Sequence, residues 1–217
     1  MESIWLTYAK KLHALATTGI EFTQSDYDRE RYEEIQKISQ DMFARLTKLS
    51  PALIEQLMLA HVQGYETPKV DVRAAVVKGD KILLVQEKTD KRWALPGGYA
   101  DVGYSASENV IKEVREEAGI DVRVSRLYAV RHKAKGAYDP DLREFYKLFF
   151  LCETVNDDAL APGSEVQDAA YFSLDALPEL STGRVIREDL EAAFQYRDNS
   201  EKPTYFDEGD FLEDDEV

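Results

Sequence analysis

Residues 97–120 read GGYADVGYSASENVIKEVREEAGI and place three glutamates, Glu113, Glu116 and Glu117, within five positions. Ser105 and Glu108 form an S-x-x-E capping box and Gly119 stands where a left-handed C-terminal cap belongs, so the spacing predicts a helix over residues 106–118. At about 100° per residue, Glu117 lies about 40° to one side of Glu113 and Glu116 about 60° to the other, with Val110, Val114 and Ala118 next to this arc. The acids therefore border the buried face, at the lip of a crevice. At about 6 Å separation and an effective dielectric near 20, each pair of ionised carboxylates repels by roughly 3 kcal/mol. Lys112 and Arg115 lie about 100° and 160° from Glu113 and are expected to neutralise the cluster poorly. Clustered, hard oxygen donors suit Mg²⁺, with Mn²⁺ as the alternative, and both ions keep positions open for water and phosphate.

Outward from this segment the hydrophobic period changes twice. Pro96-Gly97-Gly98 precedes it and lets the backbone turn tightly and approach a ligand. Before that, VDVRAAVV (residues 70–77) alternates like a strand, Gly79-Asp80 makes a turn and KILLVQE returns. After it come a strand DVRVSRLYAV, a polar loop from His132 to Arg143, a strand EFYKLFFLCE, a short strand AAYFSL and a closing helix near residues 185–196. Residues 4–62 carry helical periodicity instead: Trp5, Tyr8, Leu12 and Leu15 form one stripe, and Ile35, Ile38, Met42, Leu46 and Leu49 another. Ser50-Pro51 opens a third helix that Gly64 would close. The pattern is α+β, with an all-helical domain at residues 1–66, a mixed domain at 67–197 and an acidic tail at 198–217. The helical stripes are packing surface, internal or between subunits, and they exceed what three short helices bury alone, which predicts a homodimer.

Composition narrows the partners. The formal net charge is −15, and residues 198–217 contribute nine acidic side chains against the single Lys202. That tail is expected to be solvated and partly disordered, the alternative being a docking tail anchored by Tyr205, Phe206 and Phe211. An acidic chain is a poor partner for long nucleic acid. Neither a signal-peptide core nor an apolar run near the ~18 residues of a membrane helix is present, and the lone Cys152 reads as a packed core thiol. A soluble, cytoplasmic protein without a membrane partner is expected. His13 and His61 have no partner at metal-ligand spacing.

Starting from Gly98, the spacing of Glu113, Val114, Glu116, Glu117, Gly119 and Ile120 resembles the Nudix signature G-x5-E-x7-R-E-U-x-E-E-x-G-U, in which U is a bulky apolar residue. Two positions depart from it: Tyr104 stands for its first glutamate and Lys112 for its arginine, which looks like a coordinated replacement of a supporting pair. Lysine lacks the planar fork of arginine. The helical N-terminus followed by PKVDVR and LPGGYADVG is similar to a bacterial Nudix subfamily that includes CDP-choline and ADP-ribose pyrophosphatases. The resemblance implies an α/β/α sandwich with a mixed sheet. It also implies Mg²⁺-dependent hydrolysis of a small-molecule nucleotide, a nucleoside diphosphate linked to another moiety. It makes Glu113, Glu116, Glu117 and the Gly98 carbonyl metal ligands, with Glu165 in PGSEVQDAAYF as general base and Asp168 as the other candidate. CDP-choline stands slightly ahead of ADP-ribose as substrate on that likeness. Arg73, on the strand face shared with Asp71, could reach the diphosphate or form a rim salt bridge. Arg131, His132, Lys133 and Lys135 make the densest positive cluster and are either solvated loop charges or substrate contacts, and Tyr99 is expected to pack beside the glycine pair, the alternative being to stack on a base. A non-hydrolytic nucleotide sensor and a nucleoside triphosphate pyrophosphatase are the competing readings.

Overall fold

The computed structural model describes residues 3–47, 49–50, 52–54, 65–156 and 158–208. The chain divides into two compact units, Met1–Pro68 with Pro140–Glu144, and Lys69–Asp139 with Phe145–Val217.

In the helical unit, Ser3 accepts the Leu6 N–H and opens α1 (Ile4–Phe22), and α2 (Asp26–Thr47) returns against it. Leu6, Ala9, Phe43, Ile54 and Leu142 form its buried core. His13 belongs to that core: its Nδ1 lies 3.1 Å from Ser39 Oγ, and burial lowers its pKa. Gly19 permits the helix contact, because a Cβ there would lie 2.6 Å from the Tyr32 ring. The stripe of Trp5, Tyr8, Leu12 and Leu15 is exposed and faces away from this core. Residues 52–54 are helical, and the rest of the expected third helix, with His61 and the Gly64 boundary, lies outside the described residues.

The second unit is a mixed sheet between two helices, as the resemblance implies. Its strands are β1 (Lys69–Lys78), β2 (Lys81–Glu87), β3 (Trp93–Ala94), β4 (Val122–His132), β5 (Phe145–Thr154), β6 (Val166–Ser173) and β7 (Tyr205–Phe206). They run in the order β3-β2-β1-β5-β4-β7, with β6 on β2. β1 pairs parallel with β5, and β5 antiparallel with β4. Alternation along β1 sends Val72, Ala74 and Val76 beneath α3 (Ala106–Ala118), where Val110, Val114 and Ala118 meet them. Ala75 goes to the opposite face with Phe149, Leu151 and α4 (Arg187–Asp198), which supplies Leu190, Ala193 and Tyr196. Cys152 is buried in the first of these layers, and burial pushes its thiol up to about 12.

Two features differ from the sequence reading. β3 is two residues long, too short for its alternation to register. The first part of the acidic tail is ordered: Arg126 donates to the Asn199 and Ser200 carbonyls, Thr204 Oγ1 donates to Leu127 O at 2.8 Å, and β7 pairs with β4. Side chain-to-backbone bonds of this kind leave no periodic trace in a sequence. Residues 209–217, which include Phe211, lie outside the described residues.

Candidate active site

The site grows from the way Pro96–Gly97–Gly98 lies along β1. Ala74 N–H donates to Pro96 O at 2.8 Å, Val72 N–H to Gly98 O at 2.9 Å, and Ala100 N–H to Val70 O at 3.0 Å. Gly97 is required where it stands, since its φ is +140° and a Cβ would lie 2.0 Å from Val72 O. Its N–H, turned away from β1, donates to Glu117 Oε2 at 2.8 Å. At Gly98 a Cβ would lie 3.0 Å from Glu113 Oε1, so this glycine admits the second carboxylate. The Gly98 carbonyl, the expected ligand, accepts the Val72 N–H and keeps its second lone pair; among the described residues the neighbouring Gly97 carbonyl takes no backbone bond from β1.

α3 holds the carboxylates in register. Its capping box is present, and Gly119 adopts φ 70° at its C-terminus. Beyond that cap, Ala161 N–H donates to Ala118 O at 2.9 Å and Gly163 N–H to Glu117 O at 3.3 Å, satisfying terminal helix carbonyls. A Cβ on Gly163 would sit 1.7 Å from Glu116 O, so only glycine permits this approach. The contact carries Glu165, two residues on, into the surroundings of Glu113, whose carboxyl is raised by burial with Glu116 and Glu165 adding to the shift. Glu117, 6% exposed, is pushed up to about 8 by burial despite Arg73 and the Gly97 N–H. Asp168 is exposed, and its Oδ1 accepts the Ala169 N–H at 2.8 Å.

Lys112 corrects the wheel argument. It lies only about 40° from Glu116 on the helix, and its Nζ reaches Glu116 Oε2 at 2.8 Å and Asp101 Oδ2 at 3.3 Å. Angles measured from Glu113 alone hid this i,i+4 neighbour. The supporting acid is thus Asp101, whereas Tyr104 is exposed. Asn109, 1% exposed, fastens the same loop by accepting the Asp101 N–H and donating to the Asp101, Tyr104 and Ser105 carbonyls. Nothing but its position inside an amphipathic helix distinguishes Asn109 in the sequence.

Arg73 is a buried strut, 4% exposed. Nε and Nη2 grip the two oxygens of Asp71 at 3.0 and 2.8 Å, and Nη1 donates to Leu95 O at 3.1 Å. Lys147, directly opposite Asp71 on β5, donates to Asp71 Oδ1 at 2.7 Å. Burial alone would raise Asp71, but the two cations hold it down at about 2; burial pushes Lys147 down to about 8. Arg131 and His132 stand apart from the carboxylates in their contacts. Arg131 Nε is 3.1 Å from Asp189 Oδ1 at an angle that makes no hydrogen bond, and its guanidinium lies 4.8 Å from the Tyr205 ring centroid. The His132 ring packs edge-on to Tyr146, and its backbone N–H donates to Asp207.

Residues 67–194 match the model of the NUDIX domain. The chain belongs to the Nudix family. Residues 3–58 of this Nudix protein match a second model, described as a UDP-X-like, N-terminal oligomerisation domain. A Bacillus subtilis protein provisionally named an ADP-ribose pyrophosphatase is 40% identical over 207 residues, covering 95% of this chain and 99% of its own. A solved structure called an ADP-ribose pyrophosphatase, from Streptococcus suis, is 42% identical with a TM-score of 0.59, covering 65% of this chain and all of that one. Another, called a UDP-X diphosphatase, is 33% identical with a TM-score of 0.61, covering 94% and 98% of the two chains.

The donor set suits a hard divalent cation. Glu113 and Glu117 meet the two glycines from α3, no side-chain cation among the described residues bonds all of the carboxyls, and each oxygen type is one that Mg²⁺ accepts. Among the described residues no three such groups already converge on one point, because Glu116 is turned to Lys112. No helix among the described residues is long and apolar enough to cross a membrane.

Proposed function

We propose that the protein is a pyrophosphatase of small nucleoside diphosphate derivatives, acting with Mg²⁺ or, in its place, Mn²⁺. The observation that supports it most is the joint seating of Glu117 on the Gly97 amide and Glu113 against Gly98, with Glu116 and Glu165 in the same electrostatic neighbourhood. Glu113, Glu116 and Glu117 would hold the cation, with the Gly97 carbonyl in the place first assigned to that of Gly98. A bound divalent cation neutralises diphosphate oxygens and lowers the pKa of an attacking water. Glu165, exposed and close enough to Glu113 to shift it, takes the water's proton; Asp168 spends an oxygen on its own strand. Arg73 acts from beneath the site, offsetting the buried carboxylates, while the diphosphate lies above them.

The relatives' names, ADP-ribose pyrophosphatase and UDP-X diphosphatase, support a nucleoside diphosphate joined to a second moiety. They do not favour a CDP-alcohol over ADP-ribose, so both belong in the test. A phosphate-release panel with Mg²⁺ should include ADP-ribose, CDP-choline, nucleotide sugars and nucleoside triphosphates. A hundredfold preference in kcat/KM for a triphosphate, about 2.7 kcal/mol of transition-state discrimination, would overturn the assignment. Glu116→Gln and Glu117→Gln should each lose activity by orders of magnitude while remaining folded; full activity in either, or in excess chelator, refutes metal dependence.

The helical unit is proposed to join two copies of the chain through the exposed stripe Trp5, Tyr8, Leu12 and Leu15, in line with the oligomerisation domain it matches. Light scattering on the wild type and on Trp5→Glu/Leu15→Glu tests this, the expected results being a dimer and a monomer. A monomeric wild type at micromolar concentration refutes it.

A further inference from the structure

The helical unit holds a cavity of about 510 Å³ that takes no part in the chemistry above. Its lining includes Lys11, Ala14 and Leu15 of α1, Tyr32 of α2, and Tyr65 and Glu66 ahead of β1, all within Met1–Pro68. Residues three and four apart share a helix face, so Lys11, Ala14 and Leu15 make one wall. Gly19 lets the Tyr32 ring make another, because a Cβ there would lie 2.6 Å from the ring. The volume falls within the roughly 300–1,000 Å³ of small-molecule sites.

Two charged groups of the lining are left over by the fold. Glu66 Oε2 is shut off from solvent and accepts no hydrogen bond. Burial raises the Glu66 carboxyl, and no cation among the described residues offsets the shift. A buried acceptor without a donor destabilises a protein and most native chains pair such atoms, so one on the wall of a cavity points to a partner within it. The second group is the ammonium of Lys11, which is exposed; both residues line the cavity, yet no ion pair joins them. Lys11 repels a bare cation and Glu66 a bare anion, whereas a molecule with both charges satisfies both walls. Ala14, Leu15 and the Tyr32 ring add apolar surface for the rest of it.

We propose that this cavity binds a small zwitterion with an apolar side group, an α-amino acid in chemical class, whose ammonium meets Glu66 and whose carboxylate meets Lys11. The assignment uses no residue of the hydrolytic site and stands whether or not the protein cleaves nucleotides. Binding supplies the donor that Glu66 lacks in a site closed to water on that side, where a charge-assisted bond is strongest.

The test is titration calorimetry on the full-length protein with leucine and phenylalanine as probes. Leucinamide, which lacks the carboxylate, and 4-methylpentanoate, which lacks the ammonium, are the controls. At least one amino acid should bind, and each control should bind tenfold or more weakly than leucine. Glu66→Gln keeps the shape of the side chain and removes its charge, and should raise Kd about 10- to 150-fold, the factor that a hydrogen bond to a charged group supplies. Lys11→Met should weaken the amino acids and leave leucinamide unaffected. Equal binding by Glu66→Gln and wild type, or equal binding of leucine and its controls, overturns the site. So does a wild type that takes up neither amino acid in the millimolar range, the result expected if a second copy of the chain fills the cavity beside Leu15. Thermal unfolding without ligand gives a separate check: Glu66→Met removes an orphaned buried acceptor and should keep or raise Tm. If Lys11 instead closes onto Glu66 in solution, Glu66→Met and Lys11→Met both lower Tm, and the proposal falls.

Discussion

Asp71→Asn and Lys147→Met remove opposite partners of one buried cluster, and the structure requires opposite outcomes. Asp71 is the single anion shared by Arg73 and Lys147, all three at most 5% exposed. Neutralising it takes from both cations the carboxylate they bond, leaving Arg73 the fields of Glu117 and Glu87 and Lys147 that of Asp189, and breaking a buried pair in this way costs about 3–5 kcal/mol. Lys147 is the weaker partner: Arg73 already forks both carboxylate oxygens, and desolvation drives Lys147 down to about 8. Replacing it with methionine leaves a matched Arg73–Asp71 pair and an apolar chain against Tyr138 and Phe149, which should be neutral or stabilising by about 1–3 kcal/mol. At about 2–4 °C per kcal/mol for a protein of this size, Asp71→Asn should lower Tm by roughly 6–20 °C. Trp93 reports the sheet unit if Trp5 is changed to Phe, so urea unfolding followed by Trp93 fluorescence isolates the effect. The pH dependence has a definite sign. The folded pKa of Asp71 lies at about 2, below its ordinary 3.8, so its contribution is complete above pH 4 and is lost as pH falls towards 2, about 2.5 kcal/mol in all. Asp71→Asn should erase that slope. A loss below about 1 kcal/mol in Asp71→Asn, or equal losses in the two variants, refutes the shared-anion account.

Glu117 titrates in the opposite sense: its folded pKa of about 8 exceeds the ordinary 4.5, so the metal-free protein loses stability as pH rises from 4.5 to 8. Glu117→Gln should therefore be more stable than wild type at pH 8.5 without metal, by up to about 5 kcal/mol, and equal or lower stability in calorimetry contradicts this. Lys112→Gln frees Glu116, and half-saturation by Mg²⁺ should shift to lower concentration; an upward shift in a Mg²⁺ titration of activity contradicts the Lys112 contact. Because Lys112 pairs with Asp101 rather than Tyr104, Tyr104→Glu and Lys112→Arg should have additive effects on kcat, while Asp101→Asn and Lys112→Gln should be strongly non-additive. Gly163→Ala must push the loop off Glu116 O and should reduce kcat more than tenfold while α3 remains helical by circular dichroism; unchanged kcat would show that the loop does not position Glu165.

How far the sequence carried depends on the kind of signal. Periodicity and caps located α3 to the residue, because Ser105, Glu108 and Gly119 act on their own backbone within one turn. Alternation located β2 to the residue and β1 to within one residue at each end. Long-range polar contacts were invisible: Lys147 sits in EFYKLFFLCE as one charge among apolar neighbours, and only the parallel register with β1 sets it opposite Asp71. Asp71 and Arg73 were visible as neighbours on a face, but whether that face met solvent or protein was not. The order in the first part of the tail was hidden for a related reason. Charge composition says that residues 198–208 prefer water, yet Arg126 and Leu127 fasten their backbone, and composition does not count backbone partners.

The site's precision resides in glycines as much as in its acids. Gly97, Gly98 and Gly163 each mark a place where one more carbon would meet Val72 O, Glu113 or Glu116 O. The first two bring the loop against α3, and the third brings Glu165's loop against the end of the same helix. Two separate chain segments, the loop of Gly97 and Gly98 and the loop of Gly163, are therefore indexed to α3 by close backbone approaches. The acids can be repelled, protonated or drawn to Lys112 without losing their places, because their positions are fixed by backbone and not by one another. That separation lets a cluster of like charges persist before a cation arrives: burial, with the neighbouring carboxylates adding to it, raises the pKa values of Glu113 and Glu117, and α3 stays in place.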